Sequence, residues 1–190
     1  MSEEISRRYF CRVVLAGIFL IARRQPVADP APACGVSKET AEETEGPYFK
    51  PQSPERRSLL EPGIDGRRLI LSGFVMDPSC VRLPGIMLDF WQADADGEYD
   101  NSGFRLRGHQ FTDDQGRYRL ETIVPGVYPG RTRHIHVKVQ SRGTTILTSQ
   151  LYFPGEVRNP SDWLFRQDLL LTVMDDGATM RAQFDFVVTA

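Results

Sequence analysis

Hydrophobic and polar residues alternate in seven short segments in the second two thirds of the chain. Alternation with a period of two is typical of strands with one buried face, and turn signals such as Leu83-Pro84-Gly85 and Pro125-Gly126 separate the segments. In the last segment Ala182, Phe184, Phe186 and Val188 share one face. Short strands at this spacing predict an all-β protein with a β-sandwich fold. The seven predicted strands are 69–76, 86–92, 109–112, 118–123, 133–140, 145–153 and 183–188.

The other segments do not show this alternation. Residues 34–66 are rich in Pro, Arg and Glu and have no sustained period, which predicts an irregular arm that wraps a sandwich formed by residues 67–190. A short helix is predicted within residues 162–171. The chain has 190 residues, of which 41% are hydrophobic, and this is enough for the core of one domain.

Residues 1–33 resemble an export signal of the twin-arginine type. Arg7 and Arg8 precede an apolar run from Val13 to Ala22, and a Pro/Ala-rich stretch follows. Ten apolar residues are half of the about 20 that a membrane-spanning helix needs, so we expect no membrane span. The prediction is a leader and an exported protein, periplasmic or extracellular. The alternatives are a mis-assigned start or a frayed amphipathic tail, with the protein remaining in the cytoplasm.

The charge of the chain argues against nucleic acid as a partner. The formal net charge is −2, the isoelectric point is near 5.9, and no basic patch with interleaved aromatic residues is present.

The segment from Arg131 to Val139 contains the chemically most informative pattern, His134-Ile135-His136. Alternation on a strand would place both imidazoles on one face, about 7 Å apart at the backbone, with Ile135 in the core behind them. One further histidine, His109, exists and no Cys-x-x-Cys is present, so other metal ligands must be sought among oxygens. Tyr99 and Tyr128 stand in turn-like settings upstream. Phenolate oxygen together with imidazole nitrogen favours ferric iron.

Six blocks of the chain resemble the intradiol ring-cleavage dioxygenases, which include catechol 1,2-dioxygenases and protocatechuate 3,4-dioxygenases. The order of the blocks and the gaps between them make the resemblance specific. The blocks are Thr44-Glu-Gly-Pro-Tyr-Phe49, Trp91-Gln-Ala-Asp-Ala-Asp-Gly-Glu-Tyr99, Arg107-Gly-His-Gln-Phe-Thr-Asp113, Gly116 to Pro129, Arg131-Thr-Arg-His-Ile-His136 and Thr148-Ser-Gln-Leu-Tyr-Phe-Pro-Gly155.

The resemblance implies a transthyretin-like (prealbumin-like) sandwich that carries a mononuclear non-haem Fe(III) site. The implied ligands are Tyr99, Tyr128, His134 and His136, with Tyr99 permanent and Tyr128 dissociable. The implied substrates are a small aromatic diol and O₂, and the product is a muconate-type diacid that contains both oxygen atoms.

Two further catalytic residues follow from the same resemblance. Arg131 matches an arginine that stabilises negative charge on the bound ring, and Gln150 matches a glutamine near the same pocket. The chain lacks the N-terminal helical region of the larger catechol 1,2-dioxygenases and looks like the compact single-domain members. The resemblance leaves open which catechol is the substrate and whether the protein forms a homo-oligomer.

Two other interpretations remain open from the residues alone. The chain could be a non-catalytic transthyretin-like or carbohydrate-binding β-sandwich, or a copper- or zinc-binding protein that uses the His-x-His pair. A single tyrosine such as Tyr99 is more often a packing residue than a ligand. Tyr48 could either anchor the arm or form a wall of the pocket, and His109 is expected to be structural.

Loss of residues 1–33 would leave two cysteines, Cys34 and Cys80, and we predict a disulfide between them. It would close a loop of about 45 residues and stabilise the fold by roughly 4 kcal/mol in the chain-entropy model. Intact mass after alkylation should then show no modified thiol before reduction and two after it. Two thiols that react freely without reductant would support the alternative of two unrelated cysteines.

Overall fold

Two β-sheets packed face to face form the protein in a computed structural model, which describes residues 38–175 and 177–189. The first sheet has the strand order β3-β2-β5-β6, and the second has the order β4-β1-β8-β7, with β9 also paired to β1. The strands are β1 Arg68–Met76, β2 Met87–Trp91, β3 Arg107–Phe111, β4 Arg117–Ile123, β5 His134–Ser141, β6 Thr144–Tyr152, β7 Thr172–Asp175, β8 Thr179–Gln183 and β9 Phe186–Val187.

The core lies between the sheets and is filled mainly by alternate residues of the central strands. From β5 it receives Ile135, Val137 and Val139, which are fully buried, and Leu71 and Leu120 face them from the second sheet. Complete burial of such an aliphatic side chain contributes about 1.5–3 kcal/mol. These residues therefore fix which face of β5 points inward.

The predicted all-β sandwich is confirmed, but the end of the chain differs from the prediction. The single strand predicted at 183–188 is wrong: β8 ends at Gln183, and β9 begins at Phe186 after a break. At this break Asp185 accepts a hydrogen bond from the backbone N–H of Phe74, and the Phe184 carbonyl accepts one from Tyr118. Strands β7 and β8 were missed upstream because their residues are largely exposed and lack the expected alternation.

The helix predicted within residues 162–171 is also wrong. The range holds one single-turn 3₁₀ helix, Gln167–Leu169, and another, Asn159–Ser161, comes just before it. Two tertiary hydrogen bonds hold this region in an irregular path: the Asp162 carboxylate accepts from the Thr132 N–H, and the Leu171 N–H donates to the Tyr152 carbonyl. These long-range bonds outweigh the local helical pattern.

Residues 38–66 contain no regular strand or helix and run along both sheets. Backbone hydrogen bonds attach this arm to the sandwich, from Glu43 to Thr148 in β6, from Arg56 to His109 in β3, and from Leu59 to Glu121 in β4. The Leu59 side chain is fully buried in the core. The arm is thereby fixed over the outer face of the first sheet, where the candidate site lies.

Several sequence predictions fall on residues that the structure does not describe. The leader 1–33 and Cys34 lie outside the described residues. Cys80 is disulfide-bonded, so the alternative of a free thiol at this position is wrong. Its pairing with Cys34 stays a prediction. Within the described ranges, no helix is both long and apolar enough to cross a membrane.

The close approach of β1 to the linker between β8 and β9 gives a stability prediction. A Cβ at Gly73 would stand 1.8 Å from the Phe184 carbonyl oxygen, so Gly73→Ala must push the linker away from β1. We expect a loss of about 3 kcal/mol in unfolding free energy, measured by denaturant titration.

Gly63→Ala is the matched control for this substitution. Gly63 has a φ of +80°, and a Cβ added there would have no heavy atom within 4 Å, so only backbone strain of roughly 1 kcal/mol is expected. Equal losses for the two variants would contradict the packing argument.

Candidate metal centre

The pleat of β5 places His134 and His136 on the face opposite Ile135. Both imidazoles are buried, and their Nε2 atoms lie 3.1 Å apart. The Nδ1–H of His134 donates to the Thr132 carbonyl at 2.7 Å, which leaves its Nε2 lone pair directed at the site. The predicted convergence of the two rings is therefore present in the fold.

Tyr99 supplies the third donor atom of this cluster. Its hydroxyl lies 3.2 Å from Nε2 of His134, although 35 residues separate the two in sequence. The preceding turn is held by Asp94, whose carboxylate accepts from the backbone N–H groups of Asp96 and Glu98. Gly97 within this turn packs so closely on the Val127 carbonyl that a Cβ would stand 2.5 Å from it. This contact joins the turn of Tyr99 to the segment of Tyr128.

Tyr128 lies in the same cavity, but its hydroxyl is hydrogen-bonded to another phenol. The Tyr48 and Tyr128 hydroxyl oxygens are 2.6 Å apart, and the Tyr48 ring stacks on Tyr99 with centroids 4.5 Å apart. Buried Arg107 donates to the Tyr48 carbonyl and to the Asp100 carbonyl, which ties the arm to the residue after Tyr99. The sequence left two roles open for Tyr48, an anchor of the arm or a wall of the pocket. In the structure Tyr48 has both roles.

Trp91 is a site residue that the sequence pattern did not identify. Its fully buried indole stacks on His136 with centroids 4.8 Å apart and an interplanar angle of 9°. Nδ1 of His136 is buried and has no hydrogen-bond partner, so stacking is what orients this ring. The cross-strand register of β2 and β5, which pairs Trp91 with His136, would have indicated the contact.

Burial decides the protonation states in the cluster. It lowers the pKa of His134 to about 4, assisted by the nearby Arg131 charge, and it lowers the pKa of His136 well below its usual value. Burial also raises the pKa of Tyr99 above its usual value. Without a cation all three groups are neutral at neutral pH, and ionisation of the phenol requires a positive charge beside it.

The spacing and chemistry of these donors fit a single metal ion. Two ligand atoms about 2.1 Å from one cation and about 95–100° apart would be separated by about 3.1–3.2 Å. Nε2 of His134 lies at this spacing from Nε2 of His136 and from the Tyr99 oxygen. Neutral imidazoles offer free lone pairs, and a phenolate prefers a hard, strongly charged cation. Among the described residues, no group of three or more His, Cys, Asp and Glu side chains is placed to bind a metal.

Arg131 and Gln150, both predicted to be catalytic, contact each other at the edge of the cluster. Arg131 lines the cavity and donates to the Gln150 side-chain oxygen at 2.7 Å, and the Gln150 amide donates to the Thr44 carbonyl of the arm. The Arg131 guanidinium also pairs with buried Asp162 at 2.9 Å. Asp162 was missed because it lies in the segment predicted as a helix. His109 lies elsewhere, hydrogen-bonded to Ser53.

The donors open into a cavity of about 280 Å³. Aromatic and apolar groups dominate its wall, and the buried imidazoles of His134 and His136 mark its inner end. The lining residues are Thr44, Gly46, Pro47, Tyr48, Tyr99, Tyr128, Arg131, His134, His136, Trp163 and Leu164. A pocket of this size and character suits a small, flat and mainly apolar molecule that carries a few polar groups.

Comparison with known proteins agrees with the geometry. A dioxygenase family model, Dioxygenase_C, matches residues 44–190. A chlorocatechol 1,2-dioxygenase of Pseudomonas putida is 30% identical over 144 residues, which are 63% of this chain and 55% of that protein. A protocatechuate 3,4-dioxygenase beta chain of Burkholderia cepacia is 29% identical over 153 residues, which are 65% of each. The chain thus spans less than two thirds of the length of these two relatives.

Solved structures of dioxygenases are also similar to this chain. The dioxygenase domain of a dioxygenase carbohydrate-binding protein fusion from Streptomyces sp. SirexAA-E has a TM-score of 0.76 and 54% identity, over 79% of this chain and 97% of that one. A 3-chlorocatechol 1,2-dioxygenase from Rhodococcus opacus 1CP has a TM-score of 0.72 and 30% identity, over 78% of this chain and 72% of that one.

The contacts of Asp162 give a prediction about stability and pH. Burial alone would raise its pKa, but hydrogen bonds from the Thr132 and Leu164 N–H groups and from Arg131 outweigh it, so the pKa lies below its usual value. Asp162→Asn should lower the unfolding free energy at pH 7 by about 2–3 kcal/mol, because it removes the charge that compensates Arg131.

This difference should shrink in acid. A lowered folded pKa contributes stability above the unfolded pKa of about 4 and loses it as the pH falls through the folded pKa. Denaturant titrations between pH 7 and pH 3 would measure the effect, with the exposed Asp114 changed to Asn as a control expected to cost less than about 0.5 kcal/mol. A difference that stays constant with pH would contradict the assignment.

Proposed function

The chain belongs to the intradiol ring-cleavage dioxygenases, and from that membership we propose that it cleaves a catechol-type diol between its two hydroxylated carbons. The proposed product is a muconate-type diacid that contains both atoms of O₂. We propose Tyr99, Tyr128, His134 and His136 as the ligands of one ferric ion. Arg131 and Gln150 are proposed to assist the reaction.

One observation carries this proposal, the meeting of two neutral imidazoles and two phenols in one buried cavity. Three of their donor atoms are 3.1–3.2 Å from a neighbour, and the fourth belongs to a phenol in the same wall. A copper or zinc site built on the His-x-His pair would need neither tyrosine. A non-catalytic sandwich would gain nothing from burying polar donors that lack full hydrogen bonding.

The ferric ion, when bound, would supply the Lewis acidity that keeps a buried phenolate ionised and that favours ionisation of a diol. The residues around the site supply position and water exclusion. His134 is fixed by its bond to the Thr132 carbonyl, and His136 by stacking on Trp91. The apolar walls remove water from the reacting ring, which strengthens the electrostatic interactions inside.

Tyr128 is proposed as the ligand that leaves when the diol binds and that accepts one of its protons. In the structure its hydroxyl is 2.6 Å from Tyr48 and takes part in that hydrogen bond. Tyr48 thus offers a hydrogen-bond partner for the released Tyr128 phenol and would hold that phenol in position. Tyr99, which contacts His134 directly, is proposed as the permanent ligand.

Arg131 is proposed to stabilise negative charge that develops on the diol ring. The guanidinium cannot lose its charge under ordinary conditions, and it lines the cavity within reach of the metal-binding end. Asp162 and the Gln150 oxygen fix its orientation. Gln150 therefore acts through Arg131 as a positioning residue.

We also propose that the protein is exported and acts outside the cytoplasm. The sequence of residues 1–33, with its paired arginines before an apolar run, supports this. The disulfide at Cys80 supports it independently, because disulfides persist mainly in oxidising compartments.

Iron content and colour test the proposal. Protein reconstituted with Fe(III) should bind about one iron per chain and should show a visible tyrosinate-to-iron charge-transfer band that shifts when catechol is added. His134→Ala should lower iron affinity by more than about 100-fold, and Tyr128→Phe should keep iron, change the colour and slow turnover.

His109→Ala serves as the matched control, because this third histidine bonds to Ser53 rather than to the cluster and should leave iron content unchanged. A protein that stays colourless after ferric reconstitution, or a His134→Ala variant with full iron content, would refute the proposed function.

A further inference from the structure

Trp163 combines two properties that are rarely found together, since it lines the candidate site and is almost fully exposed. Its side chain is 84% exposed, whereas His134 and His136 at the inner end of the same cavity are 4% and 3% exposed. Among the described residues it is the largest exposed apolar side chain. An indole can bury about 150–250 Å² of surface, so leaving it in water forgoes a large hydrophobic contribution.

The backbone on both sides of Trp163 is fixed, although its side chain is exposed. Buried Asp162 accepts hydrogen bonds from the Thr132 N–H at 2.7 Å and from the Leu164 N–H at 3.0 Å. The Leu164 carbonyl accepts from the Tyr152 hydroxyl at 2.8 Å, and the Phe165 ring packs edge-on against Tyr152. The indole is therefore presented from a rigid base at the rim of the cavity, as expected of a preorganised contact surface.

The size of the cavity determines what could reach this indole. A volume of about 280 Å³ lies just below the range of about 300–1,000 Å³ typical of pockets for drug-sized ligands, so it suits one aromatic ring with small substituents. The two hydroxyls of a diol must face Tyr99 and the histidines at the inner end. The opposite edge of the ring then faces the solvent-exposed part of the wall, to which Trp163 belongs.

We propose that Trp163 is a specificity-determining residue that selects diols carrying a flat apolar substituent, such as an aryl group, opposite the hydroxyls. The substituent would protrude from the cavity and stack on the exposed indole, and stacking would remove both surfaces from water. A compact diol such as catechol would reach Trp163 with no more than the outer edge of its ring and would gain much less from the indole. This inference rests on the proposed function for the orientation of the diol.

The first experiment compares catechol and 4-phenylcatechol as substrates of the iron-loaded protein. Trp163→Ala should lower kcat/KM for 4-phenylcatechol by about tenfold, mainly through KM, because an aromatic contact of this kind contributes about 1–2 kcal/mol. For catechol the loss should be clearly smaller, about threefold or less, because little of its ring reaches the indole. Trp163→Phe should recover most of the loss, since a smaller aromatic ring can still stack.

Met174→Ala is the matched control, because Met174 is an exposed apolar side chain on β7 that does not line the cavity. It should change neither substrate's kinetics. An equal loss with both diols, or no loss with 4-phenylcatechol, would overturn the proposal for Trp163.

A binding measurement separates this inference from the proposed function. The chain has two tryptophans, and Trp91 is buried, so the solvent-exposed emission of iron-free protein comes from Trp163. Titration with 4-phenylcatechol should quench this emission saturably, and catechol should quench it much less at equal concentration.

Trp163→Ala should abolish the long-wavelength component, and Met174→Ala should retain both the emission and its quenching. Saturable quenching in a protein that turns over neither diol would refute the proposed function while supporting the stacking role. Turnover of both diols without any selective quenching or KM effect would refute the stacking role alone.

Discussion

The pleat of β5 is the constraint on which the candidate site depends. Ile135, Val137 and Val139 are fully buried between the sheets, and a slip of one residue would move these aliphatic side chains out of the core and the imidazoles into it. The hydrophobic effect that stabilises the sandwich therefore also fixes the direction of His134 and His136. Because the register is held along the whole strand by β2 and β6, the imidazoles sit on a rigid platform rather than on a loop.

Burying neutral polar donors lowers the stability of the fold unless other contacts compensate for the lost hydration. The surrounding contacts provide part of this compensation. Each donor is held by a different kind of contact: a carbonyl for His134, an aromatic face for His136 and a stacked phenol for Tyr99. Nδ1 of His136 still lacks a partner. A cation bound by the Nε2 atoms would use the lone pairs of the two neutral imidazoles, so metal binding and folding are expected to be coupled.

The arm and the loop after β6 close the site from two sides and connect it to the same buried groups. Arg107 joins Tyr48 to Asp100, and Arg131 joins Gln150 to Asp162. Asp162 pairs with Arg131 and also accepts from the Leu164 N–H, so the loop at the opening and the proposed catalytic arginine share one network. The imidazoles are held separately by the pairing of β5, which allows substrate selection to vary without change in the donor set.

The sequence alone determined the sandwich class and most of the central strands, and it indicated the residues that are proposed as metal ligands. Strong alternation and turn signals are local, and a His-x-His pair on a strand has only one sensible orientation. It did not determine β7 and β8, whose side chains are largely exposed, or the break before β9. The pairing of β8 and β9 with β1 joins segments that are distant in sequence. Nor did the sequence reveal Trp91 as the support of His136, or Asp162 and Trp163 as parts of the site. Those roles arise from strand register and from contacts between distant segments. Local sequence patterns do not show which distant segments are in contact.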